Sequence, residues 1–183
     1  IGAAKKALSR SDIDPNDIDL VINSSVSKMD SQLRQHLSPS FATLIASELG
    51  ITNAQTFDVS NACAGMLTGL MIADSRIRSG QSKYALVVSG EHITPIIGEA
   101  KRRNLYLHPR AMASLTVGDG AAAYILGPSS KEGRIKFSEP FTMAQYNRHC
   151  IGQACKSHAG PQMRTKAKQL QDGVMNNLGN FLQ

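Results

Sequence analysis

Cys63 is the residue whose surroundings point most directly to chemistry. It lies in Phe57-Asp58-Val59-Ser60-Asn61-Ala62-Cys63-Ala64-Gly65-Met66, where a strand pattern gives way to a tight turn and then to a long apolar helix. At a helix start, unpaired N–H groups and the positive end of the dipole favour a thiolate, the form of sulfur that attacks. The neighbours Ala62, Ala64 and Gly65 are small and leave room for a substrate to approach. The competing reading is a small hydrophobe packed in a core, the usual fate of a free cysteine. Placement alone does not separate the two.

Other candidates carry less. Cys150 and Cys155 fall in an irregular stretch and are not read as nucleophiles. With His149 and His158 they form Cys-x4-Cys-x2-His behind a preceding His, four ligands of the kind that hold zinc. That spacing is not a usual zinc pattern, and adjacent His149 and Cys150 are awkward co-ligands, so no metal is expected. Lys101-Arg102-Arg103 is a basic stretch whose charges suit phosphate, but it reads more readily as a solvated helix face. Gly118-Asp119-Gly120 lacks the helix start and the Lys-Ser/Thr of a phosphate loop. It is taken as structural, marking a bulge or a close backbone approach beneath the cysteine.

The elements that must position these residues follow from periodicity and punctuation. Residues 2–10 read as a helix, 14–17 as a turn and 18–22 as a short buried strand. Residues 24–38 read as a loop with at most a short helix. Pro39 and Gly50 bracket a helix over 40–49, and 54–59 is a second strand. Met66, Leu67, Leu70, Met71 and Ile77 recur near the helical period, so 62–79 is the strongest helix, stopped by Gly80. Residues 84–88 form a continuous apolar strand of the kind buried on both faces. A strand over 115–126, interrupted at 118–120, and another over 134–141 follow. Residues 144–162 read as irregular and 163–182 as a last helix. This alternation implies an α/β fold with a mostly parallel sheet covered by helices on both faces. No central linker is visible, so composition alone indicates one domain.

Composition excludes several classes. With 42% hydrophobic residues the chain is not a disordered one, and three cysteines in 183 residues are too few for a disulfide scaffold. An odd cysteine count suits a reducing, cytoplasmic setting. No run approaches the ~18 apolar residues of a membrane span. The net charge of +6 is spread along the chain, and with 5% aromatics and no base-reading motif it does not argue for nucleic acid.

Asn61-Ala62-Cys63-Ala64-Gly65 after Phe57-Asp58-Val59 closely resembles the active-site cysteine motif of the β-ketoacyl-acyl-carrier-protein synthase III family, of the thiolase-like superfamily. Three further stretches agree in order and spacing. Asp17-Ile18-Asp19-Leu20-Val21-Ile22 is similar to an early helix-to-strand junction of that family. Pro39-Ser40-Phe41-Ala42 through Leu49-Gly50 is similar to the helix before the cysteine strand. Ser114-Leu115-Thr116-Val117-Gly118-Asp119-Gly120-Ala121-Ala122-Ala123 is similar to its glycine-rich strand.

The resemblance implies a layered α/β/α/β/α fold of two similar halves. Residues 1–128 would be the half that carries the cysteine, and 129–183 the start of the other. It implies an acyl-enzyme on Cys63, formed from a coenzyme A or acyl carrier protein thioester and condensed with a malonyl thioester. No permanent cofactor is implied. Arg102 and Arg103 would meet coenzyme A phosphate, and the basic surface would suit an acidic carrier protein. A homodimer is implied, with helix 40–49 and strand 83–90 near its contact. The stretch 92–113 departs from the synthase III pattern toward relatives that join two long acyl chains or transfer acyl groups without decarboxylation. This sets a secondary-metabolite role beside fatty-acid biosynthesis. The family's His and Asn are expected beyond Gln183. None of His36, His92, His108, His149 and His158 stands in the family's His motif. Both ends read as cut, so a piece of a longer chain is expected, one inactive in condensation by itself. A non-catalytic partner subunit or scaffold of the same fold is the reading from a different class.

Overall fold

The computed structural model describes residues 1–28, 37–94, 97–98, 101, 113–129, 135, 138–153 and 162–165. Two units divide the chain, one of residues 1–92 with 120–138, the other of 93–119 with 139–183.

The first unit is a four-stranded sheet in the order β2-β1-β3-β4. Its strands are β1 (Ile18–Asn23), β2 (Gln55–Asp58), β3 (Tyr84–Glu91) and β4 (Gly120–Leu126). β1 runs parallel to β2 and to β3, and β4 is antiparallel to β3. Because β1 and β3 lie inside the sheet, their side chains are buried on both faces, which is why Leu20–Ile22 and Ala85–Val88 read as apolar runs. Leu20, Ile22, Ala85 and Val87 point to one face, while Val21, Leu86 and Val88 point to the other. β3 is paired on both sides, with β1 and with β4.

Helices cover both faces. α1 (Gly2–Leu8) and α2 (Phe41–Glu48) place Ala4, Ala42, Ile45 and Ala46 against Val21 and Leu86. α3 (Gly65–Arg78) places Ala73, Leu70 and Met66 against Leu20, Ile22 and Val87. Gly50 and Gly80, at φ of +71° and +73°, end α2 and α3 in the left-handed conformation that favours glycine.

One irregularity sets the faces. Ile18 pairs with Tyr84 and Leu20 with Ala85, so Asp19 is an extra residue in β1. Its carboxylate accepts from the Lys83 N–H at 2.7 Å. The extra residue puts Ile18 on the face of Val21.

Several expected boundaries shift. The helix expected over 62–79 is a 3-10 turn, Ala62–Ala64, followed by α3. Residues 113–115 also form a 3-10 turn, and β4 begins only at Gly120. An added Cβ at Gly118 or Gly120 would meet nothing within 4 Å, so close approach does not explain these glycines. Asp119 does the work there: it accepts from the Ile93 and Thr94 N–H groups at 2.6 and 2.8 Å and from Thr94 Oγ1 at 2.6 Å. In the expected strand 134–141, residues 135 and 138–141 are not in a strand, and the rest lie outside the described residues.

In the second unit, β5 (Cys150–Gln153) and β6 (Gln162–Thr165) form an antiparallel pair. This overturns the irregular reading of 150–153 and the helical reading of 163–165. Alternating residues such as Met163 and Thr165 fit a ladder, and helical composition alone could not reveal that pairing.

Candidate active site

The parallel strands β1, β2 and β3 all end on the same side of their sheet, and Cys63 follows β2 there. Ligands of open α/β sheets bind outside the carboxyl ends of the strands. Asp58 closes β2, and the Val59 N–H still donates to the Asn23 carbonyl at 2.8 Å. The chain then turns sharply. Asn61 takes φ −147°, and Ala62 takes a φ of +42°, a left-handed conformation that costs an alanine on the order of 1–2 kcal/mol. A strained residue at a strand-to-helix turn is a recurrent way of lifting a nucleophile clear of the sheet. Cys63 is accordingly an exposed free thiol, not a packed one.

The turn is braced from within. Asn61 Nδ2 donates to Thr68 Oγ1 at 2.8 Å, and that hydroxyl donates to the Ala64 carbonyl at 3.0 Å. The Ala64 N–H bonds the Asn61 carbonyl at 3.0 Å, which leaves the Cys63 N–H outside the turn's own ladder.

Gly65 serves a different purpose from the one its small size suggests. A Cβ there would lie 2.8 Å from the Ser24 carbonyl oxygen, and one at Gly69 would lie 2.7 Å from Val87 Cγ1. The two glycines stand one above the other on α3. They let the helix settle onto the ends of β1 and β3, so Gly65 makes room for the sheet and not for a substrate.

Three polar groups fix the strand ends around this turn. Asp58 accepts from the Phe41 and Ala42 N–H groups at 3.2 and 3.0 Å, which anchors the start of α2, and from Asn23 Nδ2 at 3.2 Å. Lys28 Nζ lies 3.3 Å from it. Burial pushes this carboxyl up. The hydrogen bonds of Ala42, Asn23, Phe41 and Lys28 outweigh burial and hold it below the ordinary aspartate value. Asn23 is buried and accepts from Ser25 Oγ at 2.6 Å; Ser25 Oγ accepts from the Gly90 N–H at 2.9 Å. Glu91 accepts from the Val26 and Ser27 N–H groups at 2.7 and 2.8 Å and from Ser27 Oγ at 2.6 Å. The Asn23, Asp58 and Glu91 network was not singled out from sequence. Its only signal is that all three polar residues close strands that are otherwise apolar.

Of the other expected site residues, Lys101 is exposed and helical, while Arg102 and Arg103 lie outside the described residues. So do His36, His108, Cys155 and His158. His92 is exposed at the end of β3, and its N–H donates to Ser27 Oγ at 2.9 Å. Among the described residues, no three His, Cys, Asp or Glu side chains gather as a metal site. No described helix is long and apolar enough to cross a membrane. A cleft of about 570 Å³ runs beside the second half of α3, between Leu70, Ile77, Arg78 and the end of β4 at Tyr124 and Leu126. Neither Cys63 nor its turn lines it.

Residues 57–142, which include this turn, match the family model described as 3-oxoacyl-[acyl-carrier-protein (ACP)] synthase III. A β-ketoacyl-[acyl-carrier-protein] synthase III of Streptomyces lividans is 38% identical over 133 residues, 73% of this chain and 35% of that protein. An acyl-CoA:acyl-CoA alkyltransferase of Xanthomonas campestris pv. campestris is 34% identical over 166 residues, 82% of this chain and 46% of that protein. Among solved structures, a cysteine-to-serine variant of Xanthomonas campestris OleA with bound lauric acid and lauroyl-CoA superposes with a TM-score of 0.81 at 29% identity. That likeness covers 99% of this chain and 53% of the other. The chain thus spans between about a third and a half of the length of the proteins it matches.

Proposed function

Since the chain belongs to the 3-oxoacyl-[acyl-carrier-protein] synthase III family of thiolase-like proteins, we propose that Cys63 is the acyl-accepting nucleophile of a condensing acyltransferase. The carrying observation is an exposed thiol at the carboxyl ends of the strands, on a turn with a left-handed alanine. The thiolate attacks the carbonyl of a coenzyme A or acyl carrier protein thioester. The carrier leaves as its thiolate, which takes up the proton that Cys63 lost on ionising, and the acyl group remains on the Cys63 sulfur. The Cys63 N–H, outside the turn's ladder, is suited to stabilise the developing oxyanion. In the second step a malonyl thioester loses carbon dioxide, and its carbanion displaces the acyl group from sulfur as a 3-oxoacyl product.

Residues 1–128 as one half of the fold and 129–183 as the start of the other belong to this proposal. So do a homodimeric state, a place in fatty-acid or secondary-metabolite synthesis and a role for Arg102 and Arg103 at coenzyme A phosphate. A second reading draws support from the alkyltransferase, whose match is longer than that of the synthase III proteins compared. There the acceptor is a second acyl-CoA and no carbon dioxide is released.

The test is mass spectrometry of the protein after incubation with acyl-CoA. A mass gain equal to the acyl group is expected on the peptide holding Cys63, and none in Cys63→Ala. Absence of any adduct on Cys63 overturns the nucleophile reading. Carbon dioxide release from malonyl thioester separates the first acceptor from the second.

A further inference from the structure

We propose that Asn23 and Asp58 are positioning residues for Cys63, holding the seat on which the nucleophile's turn rests. The inference rests on the reading of Cys63 as the nucleophile. Asn23 is 1% exposed and sits at the end of the central strand β1. Its amide is used at both ends. Nδ2 donates to Asp58 Oδ1 at 3.2 Å, and Oδ1 accepts from Ser25 Oγ at 2.6 Å and from the Ser25 N–H at 3.3 Å. Ser25 Oγ in turn accepts from the Gly90 N–H. One hydrogen-bonded line therefore crosses the ends of β2, β1 and β3.

The residue held inside that line is Ser24. Its N–H donates to the Val88 carbonyl at 2.8 Å, and its hydroxyl lies 3.2 Å from the same oxygen. Its own carbonyl oxygen is the atom that a Cβ on Gly65 would meet at 2.8 Å. Gly65 follows Cys63 by two residues and opens α3. The placement of the Ser24 carbonyl thus sets how deeply the first turn of α3 sits, and with it where the sulfur is presented. Asp58 works from the other side of the turn. It ends the strand that leads into Cys63 and is bound to Asn23 and to the start of α2. Such a seat has no need to touch substrate. It matters because acyl transfer is sensitive to displacement: about 1 Å of misplacement can cost on the order of a hundredfold in rate.

The experiment breaks the line at its two inner members. Asn23→Asp faces one carboxylate with another across a 3.2 Å contact. Ser25→Ala removes the hydroxyl that joins Asn23 to the Gly90 N–H and adds no charge. Ile51→Val, a buried change outside the network, is the control. Two readouts are taken on the full chain: the amide signals of Ala62, Cys63 and Ala64 in 1H–15N spectra, and the rate of Cys63 acylation by lauroyl-CoA. Asn23→Asp is expected to move those amides and to slow acylation about ten- to a hundredfold. Ser25→Ala is expected to shift the same amides, also where Asn23→Asp fails to fold, and Ile51→Val to move neither readout. Amides unmoved by Asn23→Asp or by Ser25→Ala overturn the proposal. A wild-type chain that takes no acyl group counts against the proposed function alone, since the amide readout does not depend on acylation.

Discussion

Gly69→Ala is the substitution whose sign the packing of α3 decides. In an unhindered helix interior, replacing glycine by alanine stabilises by about 1 kcal/mol. Here the new methyl would lie 2.7 Å from Val87 Cγ1 and 3.6 Å from Ile22 Cγ2. Val87 is β-branched, fully buried and inside the sheet, so its methyl has no open rotamer to retreat to. Overpacking a well-filled core costs about 1–3 kcal/mol. Set against the helix gain, the net expectation is a loss of up to about 2 kcal/mol. Urea unfolding followed by far-ultraviolet circular dichroism measures it. In a Val87→Ala background the obstructing methyl is gone, and Gly69→Ala is expected to turn stabilising. A gain of about 1 kcal/mol from Gly69→Ala in the native background would refute the close-packing account.

Ala62→Gly removes the penalty of a left-handed alanine and is expected to raise stability by up to about 1 kcal/mol in the same unfolding assay, the gain being partly offset by the freer unfolded chain. Asp58 is held below its ordinary value in the fold, so its contribution is fully present above pH 4 or so and is lost as pH falls through the lowered value. Unfolding measured against pH is expected to show a stability loss in that acid range that is smaller in Asp58→Asn. Glu91→Gln keeps one acceptor oxygen where the carboxylate used two. It is expected to cost about 1–2 kcal/mol and to speed amide hydrogen exchange at Val26 and Ser27.

The sheet and its helices were legible because their signals are local. The apolar runs at 18–22 and 84–88, the helical period after Cys63 and the glycine stops each report their own element. The local setting of Cys63, between a strand and a helix, was legible for the same reason. What escaped depends on contacts distant in sequence. The Asn23–Asp58 bond spans 35 residues, and the Ser25–Gly90 bond spans 65. Nothing in the local pattern announces either. Gly65 reads as space left for a substrate because the Ser24 carbonyl beneath it follows a strand distant in sequence. The β5–β6 ladder likewise pairs Cys150 with Thr165, and neither segment alone has a strong strand pattern.

The extra residue at Asp19 bears on how α1 stays attached. α1 is seven residues long and has Ala4 as its one buried residue, so it brings little of its own to the sheet. Ile18 lies in the cluster with Ala4 because the bulge turns it away from the side of Leu20 and Ile22. Deleting a single residue there would leave every side chain of α1 unchanged and yet withdraw an isoleucine from the cluster that Ala4 joins. An indel at this point therefore acts on the cluster that Ala4 joins without touching the helix itself.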